Sequence, residues 1–158
     1  MATAPSTDPK VAEFAGQLFF RLWRASHTRT AEELEAIGLT PALFGLLNVL
    51  EDRPGSNQLE IGQAMGIDPS TMVALIDQLE KAGLAKRRPH PKDRRAREVA
   101  ITPKGRRLLG QARKKANQVQ DEVLQGLTPK EQKQLLELLR RALSNAPPQP
   151  LWRAAEGD

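Results

Sequence analysis

Four times in this chain, a residue with a short oxygen-bearing arm stands directly before a proline: Thr40-Pro41, Asp68-Pro69, Thr102-Pro103 and Thr128-Pro129. The pair suits the start of a helix. The oxygen accepts a hydrogen bond from an orphan backbone N–H of the first turn, and proline fills a first position where its missing donor costs nothing. Glu131, three residues after Thr128, completes a reciprocal capping box. Gly38, Gly66, Gly83 and Gly126 stand where the helices should stop. These marks predict helices from about Lys10 to Ala36, Pro41 to Glu51, Gln58 to Met65, Pro69 to Ala82, and over 103–125 and 129–144. Asp52-Arg53-Pro54-Gly55 reads as a turn, and residues 84–101 read as extended. The class is therefore mainly α with one small β-hairpin.

Composition narrows the function. The 158 residues contain no Cys and only two histidines, His27 and His90, far apart in sequence. Disulfides, thiolate metal sites and a His-based zinc site are not expected. Residues 1–9 are small and polar, with neither a basic start nor an apolar run, and no segment has the length of a membrane span. A cytoplasmic protein without a membrane partner is the expectation. There is no phosphate-cradling glycine loop, zinc-hydrolase pair or nucleophile elbow, so neither an enzyme nor a cofactor is expected. The net charge is +5, but residues 84–115 alone carry 13 Lys or Arg against Asp93 and Glu98, leaving the rest of the chain acidic. Such a block is the footprint of a polyanion partner, or else a solvated face.

Residues 57–83 supply a reading unit. Two short helices meet at Gly66, which can take positive φ, and Asp68-Pro69 starts the second at once. In that second helix Met72, Leu75, Ile76 and Leu79 form a buried stripe at i, i+3, i+4, i+7. Ser70, Thr71, Val73 and Ala74 are left near its exposed N-terminal end. Small side chains allow close approach to base edges, Ser70 and Thr71 can bond bases or phosphates, and Val73 and Ala74 can pack on thymine methyls. No Arg, Asn or Gln occupies the first two turns, so direct base readout should be modest. The bland alternative is an ordinary helical hairpin.

The segment that follows is a basic wing. Its arms are 84–88 and 97–101, and Val99 and Ile101 alternate as a half-buried strand should. The tip, residues 89–96, is stiffened by Pro89 and Pro91. Arg95 at the end of a rigid ribbon can enter a narrow minor groove, and Asp93 can hold its direction. Lys86, Arg87, Arg88, Lys92 and Arg94 are candidates for phosphate neutralisation.

Residues 40–110 are similar to the MarR (multiple antibiotic resistance regulator) family of winged-helix transcription factors. The likeness rests on Gln58-Leu59-Glu60-Ile61-Gly62, the run from Asp68 to Leu84, Pro91-Lys92-Asp93-Arg94-Arg95-Ala96, and Thr102-Pro103-Lys104-Gly105; with the flanking helices it extends over 10–145. It implies a triangular homodimer on double-stranded DNA with a palindromic operator, the recognition helices in major grooves and the wing arginines in minor grooves. It further implies a repressor released by a small aromatic or phenolic acid. Two residues depart from the family pattern: Gly62 replaces the usual Ala, and Val73-Ala74 replaces a frequent Thr-Arg. The absence of Cys removes the oxidation-sensing branch.

The expected layout is a disordered start over 1–9, a winged helix-turn-helix over 37–102, dimerisation helices over 10–36 and 103–145, and a flexible Pro-containing tail over 146–158 holding Trp152. In the fifth helix Gly105, Leu109, Ala112, Ala116, Val119 and Val123 recur at alternating four- and three-residue spacing, a coiled-coil-like seam; the sixth helix offers Leu135, Leu138, Leu139, Ala142 and Leu143, and the first Val11, Phe14, Leu18, Leu22 and Ala25, and these stripes together favour a dimer over a monomeric core. In the first helix Arg21, Arg24 and His27 lie near one face. They are candidates to clamp an effector carboxylate while Trp23 or Phe44 stacks on its ring. Alternatively, the arginines pair with Glu32, Glu33 or Glu35 and the aromatics are core. The competing function is a low-specificity architectural DNA-binding protein without an effector; a protein-interaction module is a further alternative.

Overall fold

The computed structural model describes residues 14–90 and 93–145, without the side chains of 90–96. The expected disordered start and Trp152 tail lie outside that range. Six helices and one hairpin follow in order: α1 (Ala15–Glu35), α2 (Pro41–Asp52), α3 (Gln58–Met65), α4 (Pro69–Lys81), β1 (Ala85–His90), β2 (Asp93–Ile101), α5 (Pro103–Val123) and α6 (Pro129–Ser144).

The four cap-proline pairs all work as expected. Thr40 accepts from the Leu43 N–H at 3.2 Å and Asp68 from Thr71 at 2.9 Å. Thr102 accepts from Gly105 at 3.0 Å, and Thr128 from Glu131 at 3.4 Å. A fifth cap accompanies them: Asn57 and Glu60 form a reciprocal capping box that starts α3. Gly38, Gly66 and Gly83 take positive φ at their turns, whereas Gly126 is not among the glycines that do. Helix α5 stops earlier, at Val123, with Leu124 as its C-cap.

One core holds the winged lobe together. Helix α2 lies at its centre because it is apolar nearly all round, and Leu43, Leu46, Leu47 and Leu50 are buried. Around it pack Ile61 and Met65 of α3, the expected α4 stripe of Met72, Leu75, Ile76 and Leu79, and Val99 and Ile101 of β2. Fully burying each such side chain contributes about 1.5–3 kcal/mol. Leu34 reaches in from α1, and Leu109 and Ala112 from α5.

The α5 seam corrects the expectation placed on it. Gly105, Leu109, Ala112 and Val119 are buried within this one chain and are not offered to a second copy. Gly105 lies so close to the base of the hairpin that an added Cβ would stand 2.1 Å from the Leu84 carbonyl oxygen. A stripe at coiled-coil spacing looks the same whether its partner is the same chain or another. The other two expected stripes remain free: Phe14 at the N-cap of α1 and Leu18, Phe19, Phe20 and Trp23 along it are exposed, and on α6 no residue is buried and Leu143 is 71 % exposed.

The hairpin is longer than its sequence suggested. Antiparallel pairing runs from Ala85↔Ile101 to Pro89↔Arg97 and resumes at His90↔Asp93 after an irregularity. Residues read as tip are therefore strand. Pro89 is tolerated because a two-stranded sheet leaves one edge of each strand unpaired.

Candidate nucleic-acid interface and adjoining cavity

Helix α4 projects its first turns into solvent. Ser70, Thr71, Val73 and Ala74 are exposed while their stripe partners are buried, as the periodicity predicts. Asp68 organises this end. Its Oδ1 accepts from the Ser70 hydroxyl at 2.5 Å and from the Thr71 N–H at 2.9 Å. Those bonds, the Ser70 hydroxyl first, hold the Asp68 carboxyl well below the usual carboxylate range. The Ser70 proton is thus already committed, leaving its oxygen as an acceptor.

The wing is tied to α4 by a residue read from sequence as a phosphate ligand. Arg87 donates from Nη1 to Asp77 Oδ1 at 2.6 Å and to Glu80, and from Nη2 to Gln58 at 3.2 Å; its backbone N–H also meets Glu80 at 2.7 Å. Burial works against the guanidinium charge, but the hydrogen bonds to Asp77 and Glu80 outweigh it and raise the pKa. Arg87 therefore acts as a brace across α3, α4 and β1 in the free chain. Sequence reasoning missed Asp77, Glu80 and Gln58 as its partners, because only the fold brings them together.

Arg88 is half-committed. Its Nε bonds Glu98, which is 1 % exposed, while the Arg88 side chain is 52 % exposed. Glu98 was read as one acid in a basic strand. It is instead the buried anchor of the wing base, where β2 also bridges to Asn57 and the Val99 N–H bonds Ser56 at 3.1 Å. Lys92 lies outside the described residues, and the side chains of Asp93, Arg94 and Arg95 are likewise not described.

The basic block is less available than its charge implied. Among the described residues, six of its 13 cations are engaged within the chain. Besides Arg87 and Arg88, these are Lys104 on the Ala82 carbonyl, Arg106 on Glu51, Arg113 on Asn48 and Asp52, and Lys115 on Glu33. The Glu33 carboxyl is lowered chiefly by its hydrogen bond from Lys115. The block therefore clamps α5 to α1, α2 and α4 as well as facing outward.

A cavity of about 580 Å³ opens beside this lobe, between α1, α2, α5 and α6. Trp23, His27 and Phe44, three of the effector candidates, line it. Trp23 and His27 stack with ring centroids 4.9 Å apart. Arg21 and Arg24 do not line it. Arg21 instead borders a separate shallow groove with Leu18 and Glu122. Three- and six-residue steps from Arg21 drift around α1, so His27 turns inward and the arginines do not. Nor do these arginines take up the acids weighed as their partners; Arg29 does, pairing with Glu32, Glu33 and Glu122. Among the described residues no acid–histidine cluster suits a metal, and no helix is long and apolar enough to cross a membrane.

A model of the MarR family matches residues 37–96. Among solved structures, the chain is similar to the transcriptional repressor CouR bound to a 23-mer DNA duplex, at 30% identity over 89% of this chain and 99% of that one, with a TM-score of 0.75. CouR from Rhodococcus jostii RHA1 bound to p-coumaroyl-CoA matches at 26% identity over 90% and 100%, TM-score 0.73. BpsR of Bordetella bronchiseptica, whose DNA binding is regulated by 6-hydroxynicotinic acid, matches at 29% over 86% and 96%, TM-score 0.70. With the helix-turn-helix, the braced wing and these likenesses together, the chain belongs to the MarR family of winged-helix, DNA-binding transcriptional regulators.

Proposed function

We propose that the chain is a homodimeric repressor that grips a palindromic operator and lets go when a small aromatic effector enters the α1/α2/α5/α6 cavity. One observation carries the DNA reading: the exposed end of α4 is bare of bulky side chains, and Arg87 holds the wing beside it in fixed register. The α4 N-terminus favours phosphate. Ser70 and Thr71 would meet bases or backbone, and Val73 and Ala74 thymine methyls. Arg88, Lys92 and Arg94 would neutralise phosphates, with Arg95 in the minor groove and Asp93 orienting it. Duplex-bound CouR supports this assignment.

The exposed faces of α1 and α6 support the dimer. So many large apolar residues in contiguous helical stripes mark an interaction surface, and self-association places two α4 helices on successive half-sites. A ligand in the cavity would act by changing the angle between α2 and α5, the two helices joined by Arg106–Glu51 and Arg113–Asn48. That angle sets the spacing of the reading heads, so binding shifts a population.

A second reading, low-specificity architectural binding, is favoured by the absence of Arg, Asn or Gln from the first two turns of α4. Fluorescence anisotropy on labelled genomic sites, with and without excess random duplex, separates the two. A repressor keeps its site under competition, and an architectural protein is stripped from it. In the same assay affinity falls steeply with salt, and Arg95→Ala weakens binding by about 1–3 kcal/mol. A flat salt response would remove the phosphate clamp from the mechanism.

A further inference from the structure

Among the described residues, no Lys, Arg, Asp or Glu of this chain lines the large cavity; its polar members are Ser26, His27, Thr30, Asn48 and Gln120, and the rest is apolar. The nearby cations are spent or turned away. Arg113 stands behind Asn48, held by its Oδ1 at 2.8 Å and by Asp52; Lys115 is on Glu33, and Arg21 borders the separate groove. Asn48 itself is committed, donating to the Phe44 carbonyl at 2.9 Å while accepting from Arg113.

A carboxylate carried into such a wall gives up water and gains no Lys or Arg of this chain in return, which disfavours it. A neutral donor–acceptor group suffers no such penalty. Gln120 has no side-chain hydrogen bond to another described residue, and its amide can both donate and accept. The stacked Trp23–His27 pair and Phe44 offer flat apolar faces. Size points beyond one ring. A cavity of about 150 Å³ already accommodates benzene, and this one is several times larger at about 580 Å³.

We infer that the cavity selects an uncharged planar aromatic of at least two rings, bearing an amide-like polar group, over the corresponding aromatic acid. This rests on the effector reading above and replaces the carboxylate clamp expected from Arg21 and Arg24.

The test uses an isosteric pair, 2-naphthamide and 2-naphthoate, titrated by calorimetry into the full chain at pH 8, with release from operator DNA followed in parallel. The amide should bind at least tenfold more tightly and be the better releaser. Gln120→Arg, which places a guanidinium in the wall, should reverse that order. Equal or tighter binding of naphthoate to the unaltered chain overturns the neutral-ligand inference while leaving the cavity as an effector site. Failure of both compounds to bind overturns both readings. A Gln120→Arg protein that binds but still prefers the amide shows that wall charge does not set selectivity, and also overturns the inference.

Discussion

The winged lobe and the outer face of α1 and α6 use the same apolar residue types but treat them differently. In the lobe, the stripe of every helix meets a neighbour from the same chain, and Leu46, Leu47, Ile76 and Leu79 are sealed. On the outer face Phe14, Phe19, Phe20, Leu138 and Leu143 stay open to solvent. Helix amphipathicity makes a helix stick to something; what it meets depends on which surface the rest of the chain brings to it. The lobe supplies its own partner surfaces, whereas the outer face waits for one.

The comparison can be broken most forcefully at Gly105, where lobe and outer helices are joined. Gly105→Ala drives a methyl into the Leu84 carbonyl and should cost about 3 kcal/mol or more in denaturant unfolding. A neutral result would mean that α5 is not pinned to the hairpin. Next in size is the outer face itself. The double variant Phe20→Ser and Leu143→Ser should weaken self-association about 100-fold by sedimentation, because large apolar contacts worth about 1.5–3 kcal/mol each are lost. The same variant should leave lobe unfolding nearly unchanged, and a large fall in lobe stability would show that those residues serve the core.

Smaller effects sharpen the picture within the lobe. Arg87→Ala should lower stability by about 1–2 kcal/mol and speed amide exchange over residues 85–90, since Asp77 and Glu80 lose their partner. A pure phosphate ligand would change neither quantity without DNA. The smallest effect concerns Asp68. Its carboxyl is depressed in the fold by the Ser70 and Thr71 bonds, so its stabilisation is complete above the unfolded value near about pH 4 and is lost as pH falls through the folded value. Asp68→Asn should therefore flatten the acid side of the thermal-midpoint profile, and an unaltered profile would show that this charge is not what caps α4.

Much of this was legible beforehand because its causes are local. Cap-proline pairs announce helix starts whatever surrounds them, and the α4 stripe followed from spacing alone. The readings that the fold reshaped were those with two physical solutions. The seam in α5 fits a dimer or a core equally well. Arginines in a wing can meet phosphate or carboxylate, and Arg87 met Asp77, ten residues away in the chain, and Gln58, 29 away. The Glu98 carboxylate showed no sign of burial in its sequence, since charged residues are placed inside by partners and not by pattern.

The cavity shows the same division. Trp23, His27 and Phe44 could be named from residue chemistry, but which arginines would join them could not, because a turn of α1 decides it. Local backbone chemistry, acting within four residues, determined the helices, their order and the family likeness. Tertiary packing decided which apolar stripe is sealed, which cation is spent and which wall is left without charge. Those outcomes depend on contacts between residues far apart in the chain, and a linear pattern does not encode which of several matching surfaces will arrive.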